Sequence, residues 1–437
     1  MPVAFLKQIT SDVVSAARIP PGQTLTGYGP GSPNLRQGEG GWPVHAYGPN
    51  NTGGPLYRPG GRACYPALWI RDYAMSLSSG LIPADEQRHA LHLTARSQPL
   101  EDWTTPSGSL VPRGAIPDHI TLAGKPVFFP GTVDDYERQG GIWGARPPLD
   151  DQFFFIEMGW HLAIARRRKS ILAEQVEGVR LLERLDLAFS VPKAHAETGL
   201  IWCDDSNRGA SFGFMDTVIH TGELLFCSLL RYRAARQMAQ LHQVTGELLA
   251  SRTYWQVAEN IAAHLGQTFS HASGLLRAST GKSAQPDVWG SAFAIYCGAL
   301  PSHEALPVCY ALLDAYRRGT IACCGNIRQV PTDADFDCTT AWELTIGPCA
   351  KNRYQNGAYW GTATGWVAYA IAQVDEMAAR KLASEYIAEL QVGDYRRGEG
   401  FGSPFECFHP DGNYVQNPVY MTSVTCPLAA FRRLRWS

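Results

Sequence analysis

The feature that constrains this chain most is a serial run of helical periodicity from Trp69 to the C-terminal residues. Periodic or Ala/Leu-rich segments fall at 84–97, 151–168, 171–187, 218–243, 248–267, 288–299, 303–318, 358–374, 376–391 and 424–434. In 218–243 the residues Leu225, Leu229, Tyr232, Ala235 and Ala239 recur at steps of three and four, which puts them on one helix face. Two-residue alternation is rare, so a large β-domain has little room. Paired helices joined by long Gly- and aromatic-rich loops predict a closed ring of helical hairpins. The absence of a short self-similar repeat argues against an α-solenoid. Residues 1–66, rich in Gly, Pro and Asn between 20 and 66, predict an irregular N-terminal segment packed on a helical domain at 67–437.

The chain has 437 residues, 45% apolar and 18% charged, with a formal net charge of −2 and no basic stripe. A phosphate-backbone partner needs such a stripe, so nucleic acid is excluded as a partner. No run approaches the ~18 apolar residues of a membrane span. The first residues lack a basic flank followed by an apolar stretch, which predicts a cytoplasmic protein. The 11 cysteines show no C-x-x-C spacing, which argues against a disulfide scaffold or structural zinc. Asp333, Asp335 and Asp337 alternate as in a calcium loop, but Cys338 stands where that loop needs Gly, so no metal or other cofactor is expected.

Four acidic islands stand in apolar or aromatic surroundings. Arg71-Asp72 lies between Trp69-Ile70 and Tyr73-Ala74-Met75; buried ions there require partners. Asp150-Asp151 precedes an aromatic helix, where an N-cap is an equal reading. Trp202-Cys203-Asp204-Asp205 leads to Phe214-Met215-Asp216, followed by His220 and Glu223. An apolar surround would raise the pKa of Asp216, as a general acid requires, although a helix cap also fits. Glu406, between Phe405 and Cys407-Phe408 in what reads as a Pro/Gly-bounded loop, is out of place for a surface glutamate. Loop tryptophans beside acids (Trp42, Trp103, Trp143, Trp202, Trp289, Trp342, Trp360) suit stacking on sugar rings as a set, although each alone reads more readily as core.

The order of these islands resembles the six-hairpin glycosidases, above all the catalytic domain of amylo-α-1,6-glucosidases. Trp69-Ile70-Arg71-Asp72 with Gly80-Leu81 is similar to the family's opening. Leu149 to Phe154 is similar to its Asp-before-aromatic-helix element, and Phe214-Met215-Asp216 to its Trp-Met-Asp, with Phe in place of Trp. Phe405-Glu406 with Asp411-Gly412 resembles the segment that supplies the base, and Tyr354 to Trp360 the Gly-Trp loop. The resemblance implies an all-α (α/α)6 toroid and a carbohydrate substrate. It also implies inverting, exo-acting hydrolysis, with the two carboxyls roughly 6.5–9.5 Å apart.

On this reading Asp216 is the acid, with Asp204 or Asp205 as fallback, and Glu406 is the base. Trp69, Arg71, Asp72, Trp143, Asp151, Trp202, His220, Tyr359, Trp360 and His409 would bind sugar. Two alternatives share the toroid: a sugar epimerase using His220 and His409, and a non-catalytic carbohydrate-binding protein.

Overall fold

The computed structural model describes residues 3–27, 45–62, 64–105, 110–128, 146–336, 352–412 and 414–436. Among these residues are twelve α-helices that alternate between two kinds. The first kind is buried on most of its surface. It comprises α2 (Ile70–Ser76), α4 (Asp151–Trp160), α6 (Leu225–Thr245), α8 (Val288–Cys297), α10 (Thr364–Ala372) and α12 (Thr422–Arg433). In α2 every residue is buried, and in α4 all but the last. A helix buried on nearly every face, as α2 and α4 are, is surrounded by protein.

The second kind buries one face only: α1 (Val3–Ala17), α3 (Ala84–Ser97), α5 (Leu181–Ser190), α7 (Leu248–Thr268), α9 (Ser302–Arg317) and α11 (Glu376–Val392). The packing follows from this difference. α2, α4, α6, α8, α10 and α12 each contact the next, and α12 returns to α2, so the inner ring closes. The amphipathic helices pack outside it, α1 against α12 and α7 against α6. This is the (α/α)6 toroid.

Helix ends are set locally. Asp287 caps α8 through the Gly290 N–H at 2.7 Å, and Asp375 caps α11 through Ala378 at 2.9 Å. Gly246 and Gly298, at φ 87° and 72°, end α6 and α8 in the left-handed conformation that glycine adopts without strain.

Three local expectations are corrected. The N-terminal segment is not irregular throughout, because Val3–Ala17 is a helix whose Leu6, Ile9 and Val13 enter the main core. The helix expected from 218 begins only at Leu225, since Gly222–Glu223 pairs instead with Trp202–Cys203. The segment from 171 breaks into a 3-10 turn and a small hairpin before α5.

Glu406 lies on a strand and not in a loop. A five-stranded antiparallel sheet joins Ala322–Cys323, Asn326–Ile327, Tyr359–Trp360, Phe405–His409 and Tyr414–Pro418. Trp360 stands opposite Cys407, and Phe405 opposite Pro418. Nine cysteines among the described residues are free thiols, and no helix there is long and apolar enough to cross a membrane.

Candidate active site

Because each inner helix is followed by a returning outer one, the inner helices share a direction and their N-termini gather at one rim. Four of them receive the acidic islands there. Asp72 lies in the first turn of α2, Asp150 and Asp151 open α4, Asp216 precedes α6, and Glu406 precedes α12.

Arg71 anchors this rim. Its guanidinium donates to Asp118 at 3.0 Å, to both oxygens of Asp150 at 2.8 and 3.2 Å, and to Asp151 at 3.1 Å. Four of its five N–H directions are thus used by carboxylates, which is the partnering a buried guanidinium needs. Asp118 also bonds His119 at 2.8 Å, and Arg71 and His119 hold its carboxyl below the usual range. Burial and the crowding of carboxylates push Asp151 well above it, against the pull of Arg71. Asp150 has a second duty, accepting the backbone N–H of Gly213 at 2.9 Å. A Cβ at Gly213 would overlap the Arg71 guanidinium, so the turn carrying Asp216 can approach only through a glycine.

Three carboxyls around this anchor are lifted. Asp72 accepts the Tyr420 hydroxyl at 2.7 Å, and burial pushes it up to about 7. Asp216 accepts the Gln355 amide at 2.6 Å, and burial pushes it up to about 7. Glu406, 2% exposed, is pushed up to about 8, by burial first and then by the charges of Asp72 and Asp216; hydrogen bonds from Asn417 and Tyr354 oppose the rise. The three carboxyls therefore share one electrostatic neighbourhood.

Glu406 is held by Asn417 on Oε2, by Tyr354 on Oε1 at 3.3 Å, and by Tyr65 at 3.3 and 3.5 Å. All three partners have left-handed backbones: Tyr65 at φ 47°, Tyr354 at 44° and Asn417 at 40°. Such conformations cost roughly 1–3 kcal/mol each and persist where the surroundings impose them, which is characteristic of functional sites.

The remaining expected residues divide. Asp204 is not in this cluster: it caps its own turn, accepting from Ser206 and Asn207, and those bonds lower its pKa, opposite to what an acid needs. Asp205 pairs with Lys282 at 2.8 Å on the surface. Trp69 is buried and stacked on His119 at 4.1 Å. Trp360 is buried among Phe214, Trp289 and Tyr354, so it is core and not an open platform. Tyr359, also buried, lies against Phe408 and His409. Trp202 is partly exposed, stacks on His195 at 5.5 Å and lines a small cavity with Gln152, Lys193 and Asn207.

His220 is buried against Ser211 at 2.8 Å and depressed by burial to about 4, while His409 pairs with Asp411 at 3.2 Å; neither bonds the three carboxyls. Asp333 pairs with Arg318 and Asp335 with Arg328, so two of the three alternating aspartates have cationic partners. Trp42, Trp143, Asp337 and Trp342 lie outside the described residues.

Sequence reading missed Asp118, Tyr65, Asn417 and Tyr420, and named Asp150, Tyr354 and Gln355 only within motifs, without a role. Only Gln-Asn-Pro at 416–418 offered a cue, since Asn tolerates the left-handed region better than most residues.

At the sequence level no protein-family model and no curated protein matches the chain. By fold the chain is similar to Hormoconis resinae glucoamylase, with TM-score 0.56 and 14% identity over 98% of this chain and 73% of that one. It is also similar to a rhamnosidase from Klebsiella oxytoca with rhamnose bound, at TM-score 0.53 and 11% identity over 87% of this chain. The match spans only 60% of that rhamnosidase. A third is the GH63 mannosylglycerate hydrolase from Thermus thermophilus in complex with glucose, at TM-score 0.50 and 13% identity, over 86% of this chain and 95% of that one. The class these likenesses define is the six-hairpin (α/α)6 toroid.

Proposed function

We propose that the chain is a glycoside hydrolase that cleaves a small oligosaccharide or glycoside, inverting and exo-acting, with Asp216 as general acid and Glu406 as general base. The observation that carries this reading is the trio Asp72, Asp216 and Glu406 at one rim, all lifted by burial. Two carboxyls with raised pKa values whose charges oppose each other ionise one at a time near neutrality, so one can donate while the other accepts. Asp216 would protonate the leaving oxygen, and Glu406, steadied by two tyrosines and an asparagine, would deprotonate the attacking water.

Asp72 is the carboxylate left for a sugar hydroxyl. Arg71 and Asp151, bound to each other, would act by fixing the shape of the rim. Solved toroids of similar fold named glucoamylase, rhamnosidase and mannosylglycerate hydrolase support the substrate class.

The test is a panel of aryl glycosides and disaccharides (glucosyl, mannosyl and rhamnosyl) followed by anomer-resolved NMR. Release of a sugar of inverted configuration from the chain end is expected; isomerisation of free monosaccharides without cleavage would contradict the reading. The rate needs Asp216 protonated and Glu406 ionised. With values of about 7 and 8 this is the minor of the two singly protonated forms, but its population still rises as the pair loses its first proton and falls as it loses the second, giving an optimum between about 7 and 8. An optimum at pH 4–5, about where unperturbed carboxyls titrate, would show that burial does not tune the pair.

A further inference from the structure

We propose that Gln355 is a positioning residue for proton delivery: its amide, locked by Thr217, occupies Oδ1 of Asp216 and confines the transferable proton to Oδ2. The proposal rests on the reading of Asp216 as the acid.

The orientation of the Gln355 amide is set by its own partners. Its Oε1 accepts both the backbone N–H of Thr217 at 2.8 Å and the Thr217 hydroxyl at 2.5 Å. Both are donors, so the oxygen must face Thr217 and the NH2 must face Asp216, at 2.6 Å from Oδ1. An amide NH2 cannot accept a proton. When Asp216 is protonated, placing its O–H on Oδ1 would weaken this bond, because a hydroxyl oxygen accepts more poorly than the carbonyl oxygen. Oδ2, to which no side chain among the described residues donates, carries the proton.

The flanking residue completes the geometry. Tyr354 reaches Glu406 Oε1 at 3.3 Å, so the dipeptide Tyr354-Gln355 touches the proposed base with one side chain and the proposed acid with the next. Gln355 is fully buried, and Thr217 directly follows Asp216. The clamp thus ties the acid turn to the segment ahead of α10.

The clamp also bears on when Asp216 ionises. The charged groups around Asp216 are Arg71, which favours its ionised form, and Asp118 and Glu406, which oppose it; Tyr354, raised well above its ordinary range, stays neutral. Against the large upward push of burial, Gln355 is the strongest downward influence. A donor bonds a carboxylate more strongly than a carboxylic acid. Removing the donor should therefore cost more stability where Asp216 is ionised than where it is protonated.

The test is a thermal-melt cycle at pH 5.5 and 8.5 on wild type, Gln355→Met, Asp216→Asn and the double variant. The melting temperature should fall further for Gln355→Met at pH 8.5 than at pH 5.5, and the difference should vanish in the Asp216→Asn background. Thr217→Val, which removes the hydroxyl donor but leaves the backbone N–H to orient the amide, should show the same signature more weakly and serves if Gln355→Met does not fold. A penalty equal at both pH values, or a pH dependence that survives Asp216→Asn, overturns the proposal. On the glycoside that turns over, Gln355→Met should move the limb of the rate profile that Asp216 sets, near 7, upward by about one pH unit, roughly a tenfold change in the Asp216 ionisation constant. The melts need no substrate, so their failure is separable from that of the hydrolase reading, which falls if Asp216→Asn hydrolyses a disaccharide at the wild-type rate.

Discussion

At the scale of single residues, this site is organised by contacts with no slack. Gly213 shows it best. Its amide bonds Asp150, and its missing side chain leaves room for the Arg71 guanidinium. Gly213→Ala should cost about 1–3 kcal/mol of stability by overpacking, and should lower activity more than stability because the displaced turn carries Asp216. Urea melts and rate measurements on the variant check this; a neutral change in both would show that the turn accommodates a methyl. The sequence marked Arg71 and Asp72 as special because ions between bulky apolar residues need partners. It could not say that Asp118, about fifty residues on, and Asp150 would supply those of Arg71, since pairing across a ring depends on closure. The positive-φ partners of Glu406 were equally hidden, because nothing in Tyr65 or Tyr354 advertises a left-handed backbone.

At the scale of elements, the helices were legible where their periodicity was uninterrupted: α3, α7, α9 and α11 lie within a residue of the segments read from sequence. Legibility failed where tertiary pairing overrode local preference. The strand carrying Glu406 exists because Tyr359–Trp360 and Tyr414–Pro418 flank it, and no window of sequence contains all three. It failed again at α1, although Leu6, Ile9 and Val13 stand on one face at helical spacing. α1 packs on α12 and so braces the inner ring from outside. Ile9, fully buried, makes the test: Ile9→Ala should destabilise the protein by about 2–5 kcal/mol, the usual cost of truncating a core aliphatic residue. Were α1 a loose appendage, the loss would stay within about 0.5 kcal/mol.

At the scale of the whole molecule, the toroid concentrates charge at one rim and so makes function a burden on stability. Asp72, Asp216 and Glu406 have folded pKa values raised to about 7, 7 and 8. A raised carboxyl contributes stability that is fully present below its unfolded pKa, near 4, and lost as pH rises through the folded value. The melting temperature should therefore fall between about pH 5 and 8.5, and Asp72→Asn should flatten that fall; calorimetry across the range decides it.

The central claim, that Asp216 and Glu406 divide the acid and base roles, is tested most directly by comparing two leaving groups. Glu406→Gln keeps the shape of the base but removes the proton acceptor, so hydrolysis of both the natural disaccharide and the matching glycosyl fluoride should drop by roughly 10²–10⁴-fold. Asp216→Asn should lose a similar factor on the disaccharide and much less on the fluoride, which leaves with little protonation. A folded Glu406→Gln variant that keeps its rate, or an Asp216→Asn variant near wild type on the disaccharide, would contradict the account.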